Sequence, residues 1–535
     1  MTTASTAPTA QATWGSAIEA TRIGEITYRM YCDRPRRIES LLGNADRWGD
    51  RPHIVQGDRQ LSFADLGTAV RATSARLAEL GVRPGHRVMI LGWNSPDWIV
   101  NFWSVLQAGA VPVLANAWWS PAEVEDAIQL LGIQLTLADE SGQAKLPPAA
   151  GLGPWRASAT PAPAAPRSAG AADDEQQPAA VIFTSGSSGR PKAVELSHRA
   201  LLAGLQQLLH VSRRLPQQVD ESSGDVALHT GPLFHIGGIQ TLLRAVMVGG
   251  TLVMPAGRFD PADVLRLVEE HKIARWSAVP TMVSRVLAHP DVPTRDVSSL
   301  KSITVGGAPV EAELLNRIRI GLPGADARIP TGYGLTENGG QATAASGRDT
   351  AQRPGCSGKP LPCVEITFLE HPGLPDREIL LRAPTQMTGY LGETAESPID
   401  GDGWLHTGDL GHLDEDGYLW ITGRSKDLII RGGENIAPAA VERALKALPG
   451  VEDAAVVGVP HPVLGEEVAA FVVTHDPGAT DAALSEALRG RLASFAMPTR
   501  WHIGSEPLPT NHAHKVDKVA LKKVAVGGGR EDVNG

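Results

Sequence analysis

Hydrophobic and polar positions along most of the chain follow the rhythm of an α/β protein. A short apolar run at Val88–Leu91 is followed by a helical pattern at Trp98–Gln107 and by a second strand-like run at Val111–Leu114. Apolar runs at Val181–Phe183 and Ile303–Val305 continue the pattern. Strands that alternate with amphipathic helices are typical of parallel sheets covered by helices. We therefore predict an α/β fold, with a large N-terminal domain of layered, mostly parallel sheets and helices.

A second pattern begins near Gly423. It contains an apolar run at Leu428–Ile430, a helical stretch at Ala437–Leu448 and a strand-like run at Ala454–Val457. The remaining length suits a compact unit of roughly 100 residues. This pattern predicts a small α+β C-terminal domain.

These two patterns set the predicted domain boundaries. We assign residues 1–425 to the large domain, 426–524 to the small domain and 525–535 to a flexible tail. Within the large domain, residues 146–178 are rich in Ala and Pro and show no period, which predicts an exposed, linker-like loop.

Composition and charge narrow the classes of protein that fit. Of 535 residues, 42% are hydrophobic and 20% are charged, which is typical of a soluble globular protein. A formal net charge of -10 argues against a partner such as nucleic acid or an anionic membrane. We find neither a secretory signal nor a membrane-spanning run. Cys32, Cys356 and Cys363 lack paired spacing, so we expect a cytoplasmic protein without a disulfide framework or zinc site.

The most informative segment is Thr184–Lys192, which reads TSGSSGRPK and directly follows a predicted strand. A glycine-rich loop that leaves a strand can present several backbone N–H groups to phosphate oxygens, and Lys192 adds a positive charge. The spacing differs from the G-x-x-x-x-G-K-[ST] loop, because Lys192 follows Pro191 and precedes Ala193. By itself the segment also fits a flexible Gly/Ser linker.

The segment TSGSSGRPK resembles the phosphate-loop signature of the acyl-adenylate-forming superfamily, which includes acyl-CoA synthetases, peptide-synthetase adenylation domains and luciferases. The resemblance spans about residues 38–523, and its other segments occur in the expected order. They are Leu233–Gly238, Gly306–Pro309, Thr331–Glu337, Thr407–Asp409, Gly423–Asp427, Gly432–Ile436 and Leu508–Lys515.

The resemblance is strongest to the branch of acyl-CoA synthetases, the AMP-dependent carboxylate–CoA ligases. It implies formation of an acyl-AMP and pyrophosphate from a small carboxylic acid and ATP, followed by transfer of the acyl group to coenzyme A. The implied cofactors are ATP, Mg²⁺ and coenzyme A. It also implies a mobile small domain.

The resemblance implies a set of residues that bind ATP or AMP. In this set, Tyr333 packs on adenine, and Asp409 accepts hydrogen bonds from the ribose hydroxyls, a task that suits an acceptor-only carboxylate. Arg424 reaches the ribose or a phosphate. Without the resemblance, Tyr333 is equally a core residue and Arg424 a surface residue. The set comprises Ser185, Gly186, Ser187, Ser188, Gly189, Lys192, Gly307, Ala308, Pro309, Tyr333, Gly334, Thr336, Asp409 and Arg424.

Joining a carboxylate to the α-phosphate of ATP brings two anions together, so positive charge must offset their repulsion. The resemblance implies that Glu337 and Thr184 hold Mg²⁺ and that Lys515 bridges the substrate carboxylate and the α-phosphate. Lys426 is the implied hinge of the small domain. The backbone at Gly432 and Gly433 would pass close to the pantetheine arm of coenzyme A.

One departure from the family pattern stands next to the predicted catalytic lysine. The residue before Lys515 is usually glycine, and here it is His514. His512 and His514 lack a third nearby ligand, so we assign them no metal.

The acyl pocket is the part of the site that the sequence specifies least. By resemblance, His235 borders this pocket and acts in gating rather than as a general base. Gly237, Gly238, Gly339 and Gly340 lie in segments expected to line it. Their missing side chains suggest room for a bulky aromatic or a medium- or long-chain aliphatic acid, although glycine there equally serves backbone geometry.

Three alternatives were weighed against the coenzyme A ligase. An amino-acid-activating adenylation domain is disfavoured, because Leu233–Gln240 contains no acid to pair with a substrate ammonium. An acyl-AMP ligase that loads an acyl-carrier protein is expected to carry an insertion, whereas Gly355–Val364 runs directly into Glu365. The third alternative is a non-catalytic nucleotide-binding protein of the same fold.

Overall fold

The computed structural model describes residues 14–147, 174–184, 191–220, 222, 224–307, 310, 312–325, 329–370, 376–392, 397–511 and 515–527. The predicted loop 146–178 lies mostly outside these residues. The predicted phosphate loop 185–190 lies outside them entirely, as do Ala308, Pro309, His512 and His514.

Sheet A carries one edge of the candidate site. Its central strands are parallel, and an antiparallel hairpin flanks the predicted phosphate loop at one side. In spatial order the strands are Gly389–Leu391, Lys192–Ser197, Pro178–Thr184, Val111–Ala115, Arg87–Leu91 and Leu135–Ala138.

Sheet B is parallel except for its terminal hairpin. Its strands are Ser302–Val305, Arg275–Ala278, Val226–His229, Thr251–Val253, Pro52–Gln56 and Arg59–Ser62 in spatial order. Sheet C is antiparallel, with strands Glu365–Leu369, Arg377–Arg382, Leu405–Leu413 and Leu419–Arg424.

Helices pack on sheets A and B, and the predicted α/β fold is confirmed. The helices of this region are Ala45–Trp48, Phe63–Glu79, Pro96–Gln107, Pro121–Leu131, Glu140–Gln143, His198–Val211, Ile236–Val248, Pro261–Glu270, Pro280–Leu287, Ala312–Gly321 and Gly347–Gln352. Short antiparallel ribbons pair Ile18–Ile23 with Ile26–Tyr31, Gly334–Leu335 with Gly340–Gln341, and Thr343–Ala344 with Lys359–Pro360.

The helix Pro121–Leu131 begins as its sequence indicates. Ser120 accepts a hydrogen bond from the backbone of Glu123, and the Glu123 side chain accepts one from the backbone of Ser120. Pro121 occupies the first turn, where a missing N–H does no harm.

Sheet D belongs to the C-terminal part of the chain and has its own apolar core. Its strands are Glu434–Ile436, Ile429–Arg431, Gly465–Thr474, Val451–His461 and Arg500–Gly504. The helices beside it are Pro438–Lys446, Asp481–Leu488 and Lys518–Gly527. The predicted tail from residue 525 needs a correction, because Ala525 is buried in the last helix, which continues to Gly527.

Short 3₁₀ segments complete the described elements. They are Ile38–Asn44, Pro216–Gln218, Pro323–Ala325, Thr336–Asn338, Ser425–Asp427 and Ser494–Ala496. Within the described ranges, every helix is too short or too polar to cross a membrane.

Candidate active site

A buried carboxylate lies at the centre of the candidate site. Asp409 is only 3% exposed. The Tyr333 hydroxyl donates a hydrogen bond to its Oδ2 at 2.6 Å, and Arg424 Nε donates to its Oδ1 at 2.5 Å. Arg424 stands opposite Asp409 in the register of sheet C. Both carboxylate oxygens are therefore held in place by donors.

The Thr-Gly-Asp segment forms a fixed turn within its strand. Thr407 Oγ1 donates to the carbonyl of Ile379 at 2.7 Å and accepts a bond from the Asp409 backbone N–H at 3.0 Å. Gly408 has φ of +69°, which favours glycine, and its N–H donates to Glu378 at 2.9 Å. These bonds fix the backbone of Asp409 and so the position of its carboxylate.

The phenol of Tyr333 remains a donor over the physiological pH range. Burial, and then the negative charge of Asp409, raise the pKa of Tyr333 well above its ordinary value. A protonated phenol is the form that hydrogen-bonds a carboxylate.

A second set of polar side chains surrounds Glu337 and includes the residues at both ends of the predicted phosphate loop. Thr184 and Lys192 stand opposite each other in the hairpin of sheet A. Thr184 Oγ1 donates to Glu337 Oε1 at 3.4 Å, and the Tyr390 hydroxyl donates to the same oxygen at 3.0 Å. Lys192 Nζ lies 4.5 Å from the centre of the Tyr390 ring. In the sequence, Ser185–Gly189 stand between the two strands of this hairpin.

Glu337 suits a magnesium ion that arrives with a nucleotide. Its Oε2 accepts no hydrogen bond from the described part of the chain. Mg²⁺ is commonly held by one or two carboxylates together with waters and substrate phosphates. Within the described ranges, no three His, Cys, Asp or Glu residues are grouped to form an all-protein metal site.

Lys515 belongs to the C-terminal part of the chain, and its side chain lies beside Gly307. Its Cε and Nζ lie 3.2 and 3.7 Å from the position that a Cβ atom on Gly307 would occupy. Gly307 has φ of +83°, and this backbone conformation favours glycine. Desolvation by the surrounding protein, and then the charge of Arg424, lower the pKa of Lys515, while Asp409 opposes this shift. The pKa of Lys515 therefore responds to both charges of the Asp409–Arg424 pair.

The charge of Lys515 also affects the pKa of His235. Burial, and then this charge, lower the pKa of His235 to about 4, so its imidazole is neutral near pH 7. Its ring belongs to an aromatic cluster of Trp93, Trp118, Phe234 and His235. Successive ring centres are 4.8, 5.6 and 4.8 Å apart along this series. The cluster forms an apolar border beside the ammonium group.

Asn94 fixes the segment that carries His235. Its Oδ1 accepts a bond from the Leu233 N–H at 2.8 Å, and its Nδ2 donates to the Gly231 carbonyl at 2.7 Å. Because both groups precede Phe234, they anchor the start of the following helix.

The predicted pocket glycines near His235 differ from each other. A Cβ on Gly237 would meet nothing within 4 Å, so this position faces open space. A Cβ on Gly238 would lie 2.5 Å from the Pro232 carbonyl oxygen. Close backbone packing therefore explains Gly238.

Gly339 and Gly340 also serve close packing. A Cβ on Gly339 would collide with the Thr385 carbonyl, and one on Gly340 would collide with the Gln240 side chain. Gln240 donates to the Gly339 carbonyl at 3.2 Å, which fixes its position. For these two glycines the structure favours backbone geometry over pocket width, the alternative that the sequence left open.

The remaining predicted residues lie at turns. Lys426 is in the 3₁₀ turn Ser425–Asp427, between sheets C and D. Gly432 and Gly433 have φ of +60° and +90° and form the two-residue turn between Arg431 and Glu434. Gly334 opens a short ribbon and Thr336 begins the turn that carries Glu337.

Sequence reasoning missed Tyr390, Trp93, Asn94 and Trp118. The last three follow strands of sheet A at their carboxyl ends, where ligands of open α/β sheets bind. That position was a usable signal. Tyr390 follows no comparable pattern and is brought to Glu337 only by sheet pairing.

The Tyr333–Asp409 contact generates a double-mutant test. Tyr333→Phe is expected to lower the free energy of unfolding by about 1.5–3 kcal/mol, because it removes a bond to a buried charge. In an Asp409→Ala background the loss should fall below about 0.5 kcal/mol. Denaturant unfolding measures both.

Tyr418→Phe is the matched control for this cycle. Its hydroxyl donates to Asp349 at 2.6 Å, away from Asp409, so its effect should be equal in both backgrounds. Equal losses for Tyr333→Phe in the two backgrounds would contradict the coupling.

Comparison with known proteins places this geometry in a family. The family model described as AMP-binding enzyme matches residues 42–391, and the model described as AMP-binding enzyme C-terminal domain matches residues 440–515. The chain is 34% identical to 3-[(3aS,4S,7aS)-7a-methyl-1,5-dioxo-octahydro-1H-inden-4-yl]propanoyl:CoA ligase of Mycobacterium tuberculosis, over 89% of this chain and 96% of that protein.

Two further relatives agree with this match. Feruloyl-CoA synthase of an Amycolatopsis species is 34% identical, over 88% of this chain and 96% of its own length. The solved structure of o-succinylbenzoate CoA synthetase from Bacillus subtilis, in complex with the acyl-adenylate intermediate OSB-AMP, is similar with a TM-score of 0.74 and 28% identity, and the match covers 90% of this chain and 97% of that one. The same enzyme has been solved with ATP and a magnesium ion. The chain therefore belongs to the family of AMP-binding enzymes, in the acyl-CoA synthetase branch of the acyl-adenylate-forming superfamily.

Proposed function

We propose that this chain joins a bulky carboxylic acid to coenzyme A through an acyl-adenylate. It is an AMP-forming acid–CoA ligase that uses ATP, Mg²⁺ and coenzyme A. In the first half-reaction, the acid's carboxylate oxygen attacks the α-phosphorus of ATP and pyrophosphate leaves. In the second, the thiol sulfur attacks the acyl carbon, AMP leaves with the bonding electron pair, and the thiol proton is lost.

The observation that carries the proposal is the position of Lys515. Its ammonium is electrostatically coupled to Asp409, the proposed ribose ligand, and to His235, the proposed border of the acyl pocket. An acyl-AMP places its mixed anhydride between the ribose and the acyl group. The ammonium therefore stands where the two anionic reactants would meet.

We assign the other nucleotide contacts by the same geometry. Asp409 accepts the ribose hydroxyls, and Arg424 supplies charge beside them. Tyr333 and Gly307 border the adenine. Thr184, Lys192, Thr336 and the loop between Thr184 and Lys192 bind the phosphates. Glu337 and Thr184 would hold Mg²⁺, which would neutralise phosphate charge when bound.

The first half-reaction needs Lys515 beside the reacting atoms, and the second needs the thiol of coenzyme A there. We therefore propose that the small domain moves between them. Lys426 lies between sheets C and D and is the proposed hinge. Rotation about it would withdraw Lys515 and admit coenzyme A. A Cβ on Gly433 would meet nothing within 4 Å, so this turn leaves room for a pantetheine arm.

Coenzyme A is the preferred acceptor over an acyl-carrier protein. The chain passes from the helix Gly347–Gln352 through Lys359–Pro360 to the strand Glu365–Leu369 without an inserted element. We place the reaction in the cytoplasm, and the free thiols of Cys32, Cys356 and Cys363 are consistent with a reducing compartment.

The substrate class follows from the border of the pocket. The aromatic cluster presents ring surfaces, and the exposed Gly237 in the following helix leaves space around its backbone. Ring surfaces bind cyclic and aromatic groups well. The two relatives at 34% identity are named for a fused-ring propanoyl group and for a feruloyl group. We therefore propose a bulky cyclic or aromatic acid, ahead of a long aliphatic one.

The role of Lys515 can be tested by separating the half-reactions. Lys515→Ala should reduce pyrophosphate release by about 100-fold or more, because the charge at the reacting oxygens is lost. Thioester formation from supplied acyl-AMP should fall less than about threefold. Rapid-quench assays measure each step.

Arg489→Ala is the control for that experiment. Arg489 is on the same domain and forms an exposed pair with Glu486 at 3.0 Å, so both rates should persist. Equal loss of both half-reactions in Lys515→Ala would refute the assignment.

The pocket can be tested with acetate, octanoate and a bicyclic aryl acid. The kcat/KM for the aryl acid should exceed that for acetate by about 100-fold, given about 0.8 kcal/mol per buried methylene-sized group. Gly237→Leu should reduce turnover of the aryl acid far more than that of octanoate. Gly257→Leu, at another glycine with open space around it, should change neither. Preference for acetate would show that the pocket is narrow.

A further inference from the structure

An arginine cluster lies at the amino-terminal ends of two strands of sheet B, the ends away from the loop that carries His235. Arg275 opens one strand, Asp225 precedes its neighbour, Arg214 follows the helix His198–Val211, and Arg244 projects from the helix Ile236–Val248. The strand after Asp225 runs toward the loop that carries His235. A strand of this length places the cluster roughly 10 Å or more from that loop.

Two arginines of this cluster share one acid. Arg275 Nε donates to Asp225 Oδ2 at 2.6 Å, and Arg214 Nη2 lies 3.3 Å from the same oxygen. In the described part of the chain, Arg244 has neither a hydrogen bond nor an ion pair. The charge of Asp225 favours the ionised form of Arg244. Arg244 therefore adds a further positive charge to the pair on Asp225.

The charge of Arg244 is unfavourable where it stands. Burial, and then the charges of Arg275 and Arg214, lower the pKa of Arg244 to about 10. At neutral pH it nevertheless remains charged. Arg244 is partly buried, and within the described residues no acid pairs with it, so a bound anion would add a favourable interaction there.

Two further arginines stack on Trp48, and one of them also contacts the segment that follows Arg214. Arg47 and Arg51 stack on the Trp48 ring at 4.6 and 4.8 Å from its centre. Arg47 donates to the backbone carbonyls of Pro216 and Val219. This concentration of arginine stands out in a chain whose net charge is -10.

The cluster is open to solvent. The side chains of Arg214 and Arg275 are 24% and 36% exposed, so a small ion can reach them. Planar guanidinium groups match the spacing of phosphate oxygens and bind them through paired hydrogen bonds.

We propose that Arg214, Arg244 and Arg275 form a phosphate-binding site that is separate from the ATP site. Its ligand is a phosphoryl oxyanion, either inorganic phosphate or the diphosphate group released by the reaction. Arg244 lies on the helix that follows His235. A bound anion would therefore connect that helix to the amino-terminal end of the strand that begins at Arg275.

The test is thermal unfolding of the full chain in saturating ATP and Mg²⁺ without an acid, so that the nucleotide site is already filled. Adding phosphate, against chloride at matched ionic strength, should raise the unfolding midpoint by about 2 °C at saturation. Arg244→Met should abolish most of this increase. If that variant does not fold, as judged by circular dichroism, Arg214→Met should give the same loss.

Arg266→Met is the matched control, because within the described residues Arg266 pairs with Asp263 and Glu270 on its own helix. It should keep the full increase. A parallel titration with pyrophosphate distinguishes the two ligands, since the one with the lower half-saturating concentration is the better occupant. The absence of any increase over chloride in the wild type, or an undiminished increase in Arg244→Met, would overturn the proposal.

Discussion

Two negatively charged reactants must meet before this reaction can begin. A carboxylate and a triphosphate repel each other, and the repulsion is strongest where water is excluded. The site answers this constraint with separate charges from separate parts of the chain. Lys515 comes from the C-terminal region, Arg424 from sheet C, and Lys192 from the hairpin of sheet A.

The arrangement of buried acids follows from the same constraint. A carboxylate near the phosphates would add to the repulsion unless it were paired or bound a metal. Asp409 is held by Arg424 and Tyr333, and Glu337 keeps one oxygen for a cation while Thr184 and Tyr390 bind the other. In the proposed mechanism, both acids would bind their ligands without repelling the phosphates strongly.

Mobility of the positive charge is equally important. A fixed ammonium between the reactants would favour the adenylate and then hinder the approach of a thiol. Lys515 lies beyond the turn at Lys426, the proposed hinge, and rotation there would let one residue serve the first step and leave before the second. Catalysis in this account depends on when the charge is present as much as on where it is.

The sequence predicted local structure well where one segment determined it. The strand at Val111–Ala115 and the capped helix after Ser120 follow from apolar period and turn chemistry alone. The family motifs also indicated which residues would meet, and the structure brings Asp409, Arg424 and Tyr333 together.

Features that depend on distant segments could not be read from spacing. Tyr390 reaches Glu337 because an edge strand pairs with the phosphate-loop hairpin. Gly339 is dictated by the carbonyl of Thr385, a neighbour 46 positions away by number. The arginine cluster likewise draws its members from separate elements, and no local pattern marks their convergence.

A structure of the enzyme with ATP and Mg²⁺ tests the central claim most directly. The account predicts that the ribose hydroxyls contact Asp409, that the triphosphate lies between Thr184 and Lys192, and that the metal contacts Glu337. A triphosphate bound away from this hairpin, with Asp409 still engaged only by Tyr333 and Arg424, would contradict it.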